Sequence, residues 1–432
     1  MATINHLPDA FELLIDGMAQ GGDGVGRVDG VVVFAAGALP GERVQVRVVE
    51  RKSNYVRGVV ETVVSAAPER VVPRLEGADH IPWQHMAYQA QLRFKQAILQ
   101  EQLAKLAGLA AVTVAPVIPA AHPWGYRNTA HLHGQDNGSQ IGYYAANSHT
   151  VQDLAYDPLL LPVLNDALAG LRALLPSPRY ALSGVTLRGS AYGYSVARLR
   201  GTGDMALLAE QWRKRVPSLA GCVVAAPPRK PPRRSAPPTD APAEAEVLLH
   251  DEVGGMVFSL SPDSFFQAHT AQTDVLLRVV RDGLALPPGA RLLDAYSGVG
   301  TFALPLAHAL GEVVAIEEHT TAVADGERSA RFNDVTNVRF VAGAVEAVLP
   351  DLAPPFAGAI LDPPRRGCHA AALAALLALA PPRIAYVSCH PGILARDMRI
   401  LLDGGYDVLS VQPVDMFPQT PHIECVAVLG RG

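Results

Sequence analysis

The chain has 432 residues, 49 % hydrophobic and 18 % charged, with a formal net charge of −5. At about 150 residues per domain it holds two or three globular cores, and this composition excludes wholesale disorder. No run approaches the about 18 apolar residues of a membrane span. The opening MATINHLPDAFELL lacks a basic segment followed by an apolar one, so no secretion is expected. Cys222, Cys368, Cys389 and Cys425 are too widely spaced for a disulfide framework and suit a reducing, cytoplasmic setting. The mild acidity advertises no polyanion partner, although such binding rests on local patches.

Residues 8–66 read as a small β-barrel: short Val-rich runs punctuated by Gly and Pro, from FELLIDGMAQ through VVVFAAGALPGERVQVRVVE to YVRGVVETVV. Arg43, Arg47, Arg51, Lys52 and Arg57 gather in its second half against Glu42 and Glu50. They make either a phosphate-holding patch, with Arg47 and Lys52 as its contacts, or a solvated strand face.

Residues 67–260 read as an α+β domain. Leu92, Ile98, Leu99, Leu103 and Leu106 predict a helix over 84–107, closed by Gly108. Strands and loops alternate from 109 to about 224. The stretch 225–246 is Pro-rich, and its Arg229, Lys230, Arg233 and Arg234 read as part of a mobile, solvated insertion.

Residues 261–432 change character. A helix is expected over FFQAHTAQTDVLLRVVRDGL; apolar strands and helical stretches then alternate from RLLDA to IECVAVLG. That pattern means βαβ units and a doubly wound, mainly parallel sheet, whose ligands sit beyond the carboxyl ends of the strands. Three places therefore matter. Asp294–Ala303 is a glycine turn between strand and helix, in which Gly298 and Gly300 allow close backbone approach. The turn also fits a dinucleotide site, and Glu317, at the end of the next strand, suits either kind of nucleoside or an ordinary loop. Asp362-Pro-Pro-Arg365 puts a carboxylate at the sheet rim, which a group transferase needs more than a hydride-transfer enzyme does; a plain Pro-Pro turn is the alternative.

Cys389 closes the strand RIAYVS before a His-Pro turn, a setting the other cysteines lack. A buried strand cysteine is commonly inert packing; at a strand end it faces the crevice. A zinc cluster built from the Cys-His neighbours has no C-x-x-C to anchor it and is not expected. Glu424 enters the last strand as either its polar cap or a base. A thiol, a carboxylate base and a sulfonium donor together are what pyrimidine C5 methylation requires. Thiolate addition at C6 makes C5 nucleophilic, and a base then removes the C5 proton.

These segments resemble the S-adenosylmethionine-dependent RNA uracil-5-methyltransferases, most closely the 23S ribosomal RNA branch. FELLIDGMAQGGDGVGR with GALPGERVQVRVV resembles the family's RNA-binding TRAM barrel, which bacterial transfer-RNA enzymes usually lack. WGYRNTAHLHG and IGYYAANSH resemble its central RNA-binding domain. SFFQ, DAYSGVGTF, AIEEH, LDPPR, YVSCHP with LARD, and MFPQTPHIE resemble its methyltransferase domain in order and spacing. The resemblance implies a Rossmann-like catalytic domain in which Gln267, Tyr296, Gly298, Gly300, Glu317 and Asp362 hold S-adenosylmethionine. It makes Cys389 the nucleophile, Glu424 the base, and Arg127 and Asn128 RNA contacts. It also implies an RNA partner, 23S rRNA, whose target uridine is flipped into the pocket.

The chain departs from the family at four points. His390 replaces the usual Asn after the nucleophile, Ile393 and Leu394 stand where a Thr is common, and Ala344 replaces an acidic residue. Where many relatives carry the cysteines of a four-iron, four-sulfur cluster, this chain has Val72, Ala78, Ile81 and Asp157, so no cluster is expected. Three other readings stay open: a tRNA uracil-5-methyltransferase, a cytosine-5 methyltransferase, and an inactive RNA-binding paralogue. Nothing suggests a dedicated interface, so a monomer without membrane association is expected.

Overall fold

The structure is a computed structural model that describes residues 6–145, 148–225, 247–262 and 264–432. The basic residues Arg229, Lys230, Arg233 and Arg234 of the Pro-rich stretch lie outside the described residues. Strands β1 (Ala10–Met18), β2 (Gly24–Val28), β3 (Val31–Ala36), β4 (Arg43–Arg51) and β5 (Tyr55–Ser65) lead to helix α1 (Tyr88–Ala107). Next come β6 (Thr129–Gln135), β7 (Gln140–Tyr144), β8 (Val151–Asp153), α2 (Pro162–Arg172), β9 (Tyr180–Gly189), β10 (Ser195–Gly203), α3 (Met205–Arg215) and β11 (Leu219–Val224). A hairpin of β12 (Leu249–Val253) and β13 (Met256–Leu260) precedes α4 (Thr270–Leu284). The remainder alternates: β14 (Arg291–Ala295), α5 (Ala303–Ala307), β15 (Glu312–Glu317), α6 (Thr320–Phe332), β16 (Val338–Ala342), α7 (Val345–Val348), β17 (Gly358–Leu361), α8 (Ala370–Leu379), β18 (Arg383–Ser388), α9 (Pro391–Asp403), β19 (Asp407–Val414) and β20 (Glu424–Gly430). Among the described residues, no helix is long and apolar enough to cross a membrane.

The chain forms two compact units that cut across the three expected domains. The first holds the residues up to Pro123, Pro364–Gly367 and Tyr386–Gly430. Its barrel closes in the order β1-β2-β3-β5-β4. Strict alternation turns Phe11, Leu13, Ile15, Val33, Ala35, Val44, Val46 and Val56 inward and leaves the charged residues outside. At Gly22, with φ +97°, an added Cβ would lie 2.6 Å from Trp83 Nε1 and 2.7 Å from Pro421, so only glycine fits there.

Helix α1 packs on α9, and residues 114–118 bridge to β19 through Val114 to Val411 and Ile118 to Val414. That packing draws residues 67–123 to the C-terminal strands. The helix begins at Tyr88, four residues after the expected start, because Met86 is bridged to Arg70 and Ala87 is extended. It ends at Gly108 in the left-handed conformation (φ +68°).

The second unit holds Trp124–Pro363 and Cys368–Ala385. Its six-stranded sheet runs β11-β10-β9-β6-β7-β8, with α2 and α3 packed on β9, β10 and β11. Parallel strands β16-β15-β14-β17 and the start of β18 make its other sheet. Strand β18 is continuous, and in the first unit its end leads on to β20 and β19, which are antiparallel to each other. Strands β14, β17 and β20 are buried almost throughout, as expected for a sheet covered on both faces.

Candidate active site

In the second unit the carboxyl ends of β14, β15 and β17 bring together the residues expected to hold the methyl donor. After β14 the chain turns through Tyr296 (φ +63°), Gly298 (φ +57°) and Gly300 (φ +83°). Glu317, closing β15, accepts the Gly298 N–H at 2.9 Å with one oxygen and the His319 N–H at 2.8 Å with the other. Asp362, directly after β17, accepts a long 3.4 Å hydrogen bond from Gln267 Nε2. The expected long helix starts only at Thr270, capped by His269, which leaves Gln267 in an extended segment.

The electrostatics of this cluster are unusual. Burial, reinforced by the Glu317 charge, pushes the Asp362 carboxyl up to about 7. Asp294, on β14, is fully buried, and no donor reaches hydrogen-bond geometry with either of its oxygens. Burial holds it well above the usual carboxylate range, and the Asp362 and Glu317 charges add to this against partial relief from the Ala303 amide. Ser297 Oγ is likewise buried and unpartnered. Three carboxyls with too few donors favour a ligand that brings positive charge and hydroxyl groups, as S-adenosylmethionine does. Burial, with Cys368 next to it, raises the Tyr296 phenol.

In the first unit, Cys389 follows the end of β18 and precedes α9. His390 caps this helix: its Nδ1 accepts the Ile393 N–H at 3.2 Å, and Pro391 occupies the first turn. The capping role that an Asn would play is thus filled by His390. Ser388 Oγ fixes the turn by accepting the His390 N–H at 3.2 Å. Glu424 opens β20 and is buried. Cys425 lies beside both groups: its thiol donates to Ser388 O at 3.6 Å. Burial raises its pKa strongly, and the charges of Glu424 and Cys389 raise it further. The positive end of a 13-residue helix beside Cys389 favours its thiolate.

Residues 9–60 match the TRAM domain, and residues 355–432 match the family model described as tRNA (uracil-5-)-methyltransferase. An uncharacterized RNA methyltransferase of Gloeobacter violaceus is 36 % identical over 439 residues, covering 96 % of this chain and 95 % of its own length. Another, from Thermosynechococcus vestitus, is 37 % identical over 438 residues and covers 97 % of each chain. The chain belongs to the TRAM-containing, S-adenosylmethionine-dependent RNA uracil-5-methyltransferase family. Its fold is shared with a solved Pyrococcus abyssi tRNA (uracil-54, C5)-methyltransferase in complex with S-adenosyl-L-homocysteine. The two align with a TM-score of 0.76 at 24 % identity, over 97 % of this chain and 100 % of that one.

The enzyme uses some expected residues differently. Asn128 is buried; its amide donates to Gln267 O at 2.9 Å and Thr270 Oγ1 at 3.1 Å. Arg127 is half-buried: burial lowers its pKa, but Tyr126, Tyr143 and Asp157 outweigh this and leave it raised. Asn128 is thus an internal residue that supports Gln267. On the barrel, Arg47 pairs with Glu61 at 2.8 Å and Lys52 with Glu50 at 2.6 Å. Arg43, Arg51 and Arg57 likewise pair with Glu12, Asp9 and Asp23, so the patch is close to neutral.

Asp294 is a site residue that the reading of its motif passes over. Its signal is an acidic residue inside an apolar strand, directly before the glycine turn. Among the described residues, no group of three His, Cys, Asp or Glu side chains is arranged to hold a metal ion. Burial pushes the Cys222 thiol up to about 12, in keeping with a packing role.

Proposed function

We propose that this enzyme methylates C5 of one uridine in 23S rRNA, with Cys389 as nucleophile and Glu424 as base. The observation that carries this reading is the placing of Cys389 before the α9 N-terminus with Glu424 close enough for both to act on the Cys425 thiol. S-adenosylmethionine supplies an electrophilic methyl group; Gln267, Tyr296, Gly298, Gly300, Glu317 and Asp362 would hold it. The Cys389 thiolate adds to C6 of the uracil, and the ring electrons move onto the carbonyl oxygen and make C5 nucleophilic. After C5 is methylated, Glu424 takes the C5 proton, the C6–S bond breaks and the thiolate departs. The target uridine must leave its stack to reach the thiol.

The resemblance to the 23S branch supports the ribosomal target; the barrel does not decide it, because the fold shared with the tRNA (uracil-54, C5)-methyltransferase extends over 97 % of this chain. A second reading, methylation of tRNA, is favoured by the description of the family model that matches residues 355–432. The enzyme works without an iron–sulfur cluster in this proposal: Ile81 is buried, and Asp157 already accepts from Leu159 N at 2.8 Å and Tyr143 OH at 3.2 Å.

Mapping 5-methyluridine in total RNA from a deletion strain tests the target. One site lost from 23S rRNA is expected; loss from tRNA alone would replace that target. With labelled donor in vitro, 5-methyluridine must form and Cys389→Ala must abolish it. Recovery of 5-methylcytidine, or full activity of that variant, overturns the mechanism.

A further inference from the structure

The six-stranded sheet presents two unlike faces. Leu132, Val185, Leu187 and Leu199 are fully buried in its core. The alternate positions carry His131, His133, Tyr144, Thr186, Arg198 and Arg200, which strand register aligns in rows: His131 opposite Thr186 opposite Arg198, and His133 opposite Gly184 opposite Arg200. Aromatic and basic groups on a sheet face are what single-stranded nucleic acid needs, because bases stack on rings and phosphates pair with guanidinium groups.

His133 is flanked by residues without side chains, Gly142 on β7 and Gly184 on β9. That gap lets its ring stack on Tyr144, with centroids 3.8 Å apart and planes 16° from parallel. Tyr144 then meets His149 edge-on at 5.3 Å. Tyr144 is 41 % exposed and borders a cavity of about 430 Å³ lined also by Gly134, Gln135, His149, Thr150 and Val151. Arg200 lies over Gly184, where an added Cβ would sit 3.1 Å from its Nη2. Unlike Arg47 and Lys52 on the barrel, Arg200 has no carboxylate partner among the described residues. Burial lowers the pKa of His133, and Arg200 and His149 lower it further, which favours the neutral ring for stacking. Among the described residues, the cavity lining holds no thiol and no carboxylate, unlike the surroundings of Cys389 and Glu424.

We infer that this face holds a second, unmethylated nucleobase of the RNA substrate, stacked in the cavity against Tyr144 and His149, with its neighbouring phosphate on Arg200. The inference rests on RNA being the substrate. An aromatic cavity on a sheet face that also carries Arg200, in the row of His133, fits a base and a phosphate better than a peptide, for which the described lining offers no apolar anchor pocket.

The test uses full-length enzyme, a fluorescent single-stranded oligouridylate as binding probe, and methyl transfer to 23S transcript. Tyr144→Ala is expected to weaken oligonucleotide binding about tenfold and to raise the RNA KM by a similar factor with kcat within about twofold. Tyr144→Trp, which keeps a stacking surface, restores both. Arg200→Ala should reduce the salt dependence of binding by about one phosphate contact. If Tyr144→Ala and Arg200→Ala bind the oligonucleotide as wild type does and keep its KM, the inference is overturned and the cavity belongs to another ligand. If the wild type itself transfers no methyl group to RNA, the RNA reading fails instead.

Discussion

Lys95 Nζ lies 2.6 Å from Asp415 Oδ1, and both side chains are buried. The ammonium also donates to Phe417 O at 2.9 Å, and Tyr88 OH donates to the other Asp415 oxygen at 2.8 Å. One turn earlier on α1, Gln91 exchanges hydrogen bonds with Gln419, giving to its Oε1 and taking from its N–H, both at 2.9 Å. Gln419 has a positive φ of 68°, a conformation that costs a non-glycine residue energy and is held here by those bonds. Helix α1 thus fixes the segment 415–423 that delivers Glu424 to the start of β20.

Replacing Lys95 by Met leaves the Asp415 charge buried with only a tyrosine hydroxyl for support. Removing one partner of a buried pair costs about 3–5 kcal/mol. Lys95→Met should lower the denaturant midpoint accordingly, and Lys95→Met/Asp415→Asn should recover a good part of that loss. The single variant should also reduce kcat, because the segment before Glu424 loses its anchor. A double variant no more stable than the single one would show that the buried charge is not the cause.

Glu424→Gln separates the two halves of the reaction. The thiolate still adds and C5 is still methylated, but no carboxylate takes the C5 proton, so the C6–S bond persists. A covalent enzyme–RNA adduct stable to denaturing electrophoresis is the expected result, with turnover down roughly 10²–10⁴-fold. An unchanged rate, or slow turnover without any adduct, would remove Glu424 from the role of base.

Local pattern made Cys389 readable: an apolar strand ending in Cys-His-Pro sets a thiol at a sheet rim before a helix. The alternating Val runs of β1, β3 and β4 exposed the barrel for the same reason, since an inward-outward period of two is a property of neighbouring residues. Lys95 and Gln91 gave no such signal. They look like ordinary polar positions of an amphipathic helix, and their partners Asp415 and Gln419 lie 320 and 328 residues away. Arg127 and Asn128 stand as RNA contacts on the resemblance; the bonds from Asn128 to Gln267 and Thr270, and Tyr143 and Asp157 beside Arg127, are tertiary contacts that no local pattern shows. Asp294 was hidden because the glycines beside it accounted for the motif.

With Asp362 holding the donor as proposed, binding should depend on pH near neutrality. Burial and Glu317 raise its pKa to about 7 in the folded enzyme, against about 3.9 for a free Asp side chain. A cationic donor binds the ionised form, which falls from about nine-tenths at pH 8 to one-tenth at pH 6. Affinity for S-adenosylmethionine should therefore weaken about tenfold over that interval. The neutral thioether S-adenosylhomocysteine should respond less. Stability runs the other way: because the folded state holds this proton more tightly, the ligand-free enzyme is favoured at low pH and loses that advantage as pH rises from about 4 through 7. Calorimetric titrations at pH 6, 7 and 8 check the first slope and denaturant midpoints of the ligand-free enzyme from about pH 4 to 8 the second, each repeated with Asp362→Asn. Equal pH dependence in the variant would assign the effect to another group.

His390 offers a test in which the family's usual residue is the control. As N-cap of α9, its Nδ1 satisfies the Ile393 N–H, a role that Ala cannot fill and Asn fills well. His390→Ala should cost about 1 kcal/mol of stability, read from the denaturant midpoint. It should also slow methyl transfer, because the first turn of α9 positions Cys389 and its amides favour the thiolate. His390→Asn should match the wild type in both measurements. If His390→Asn were as slow as His390→Ala while fully stable, the imidazole would have a task in the reaction beyond capping the helix.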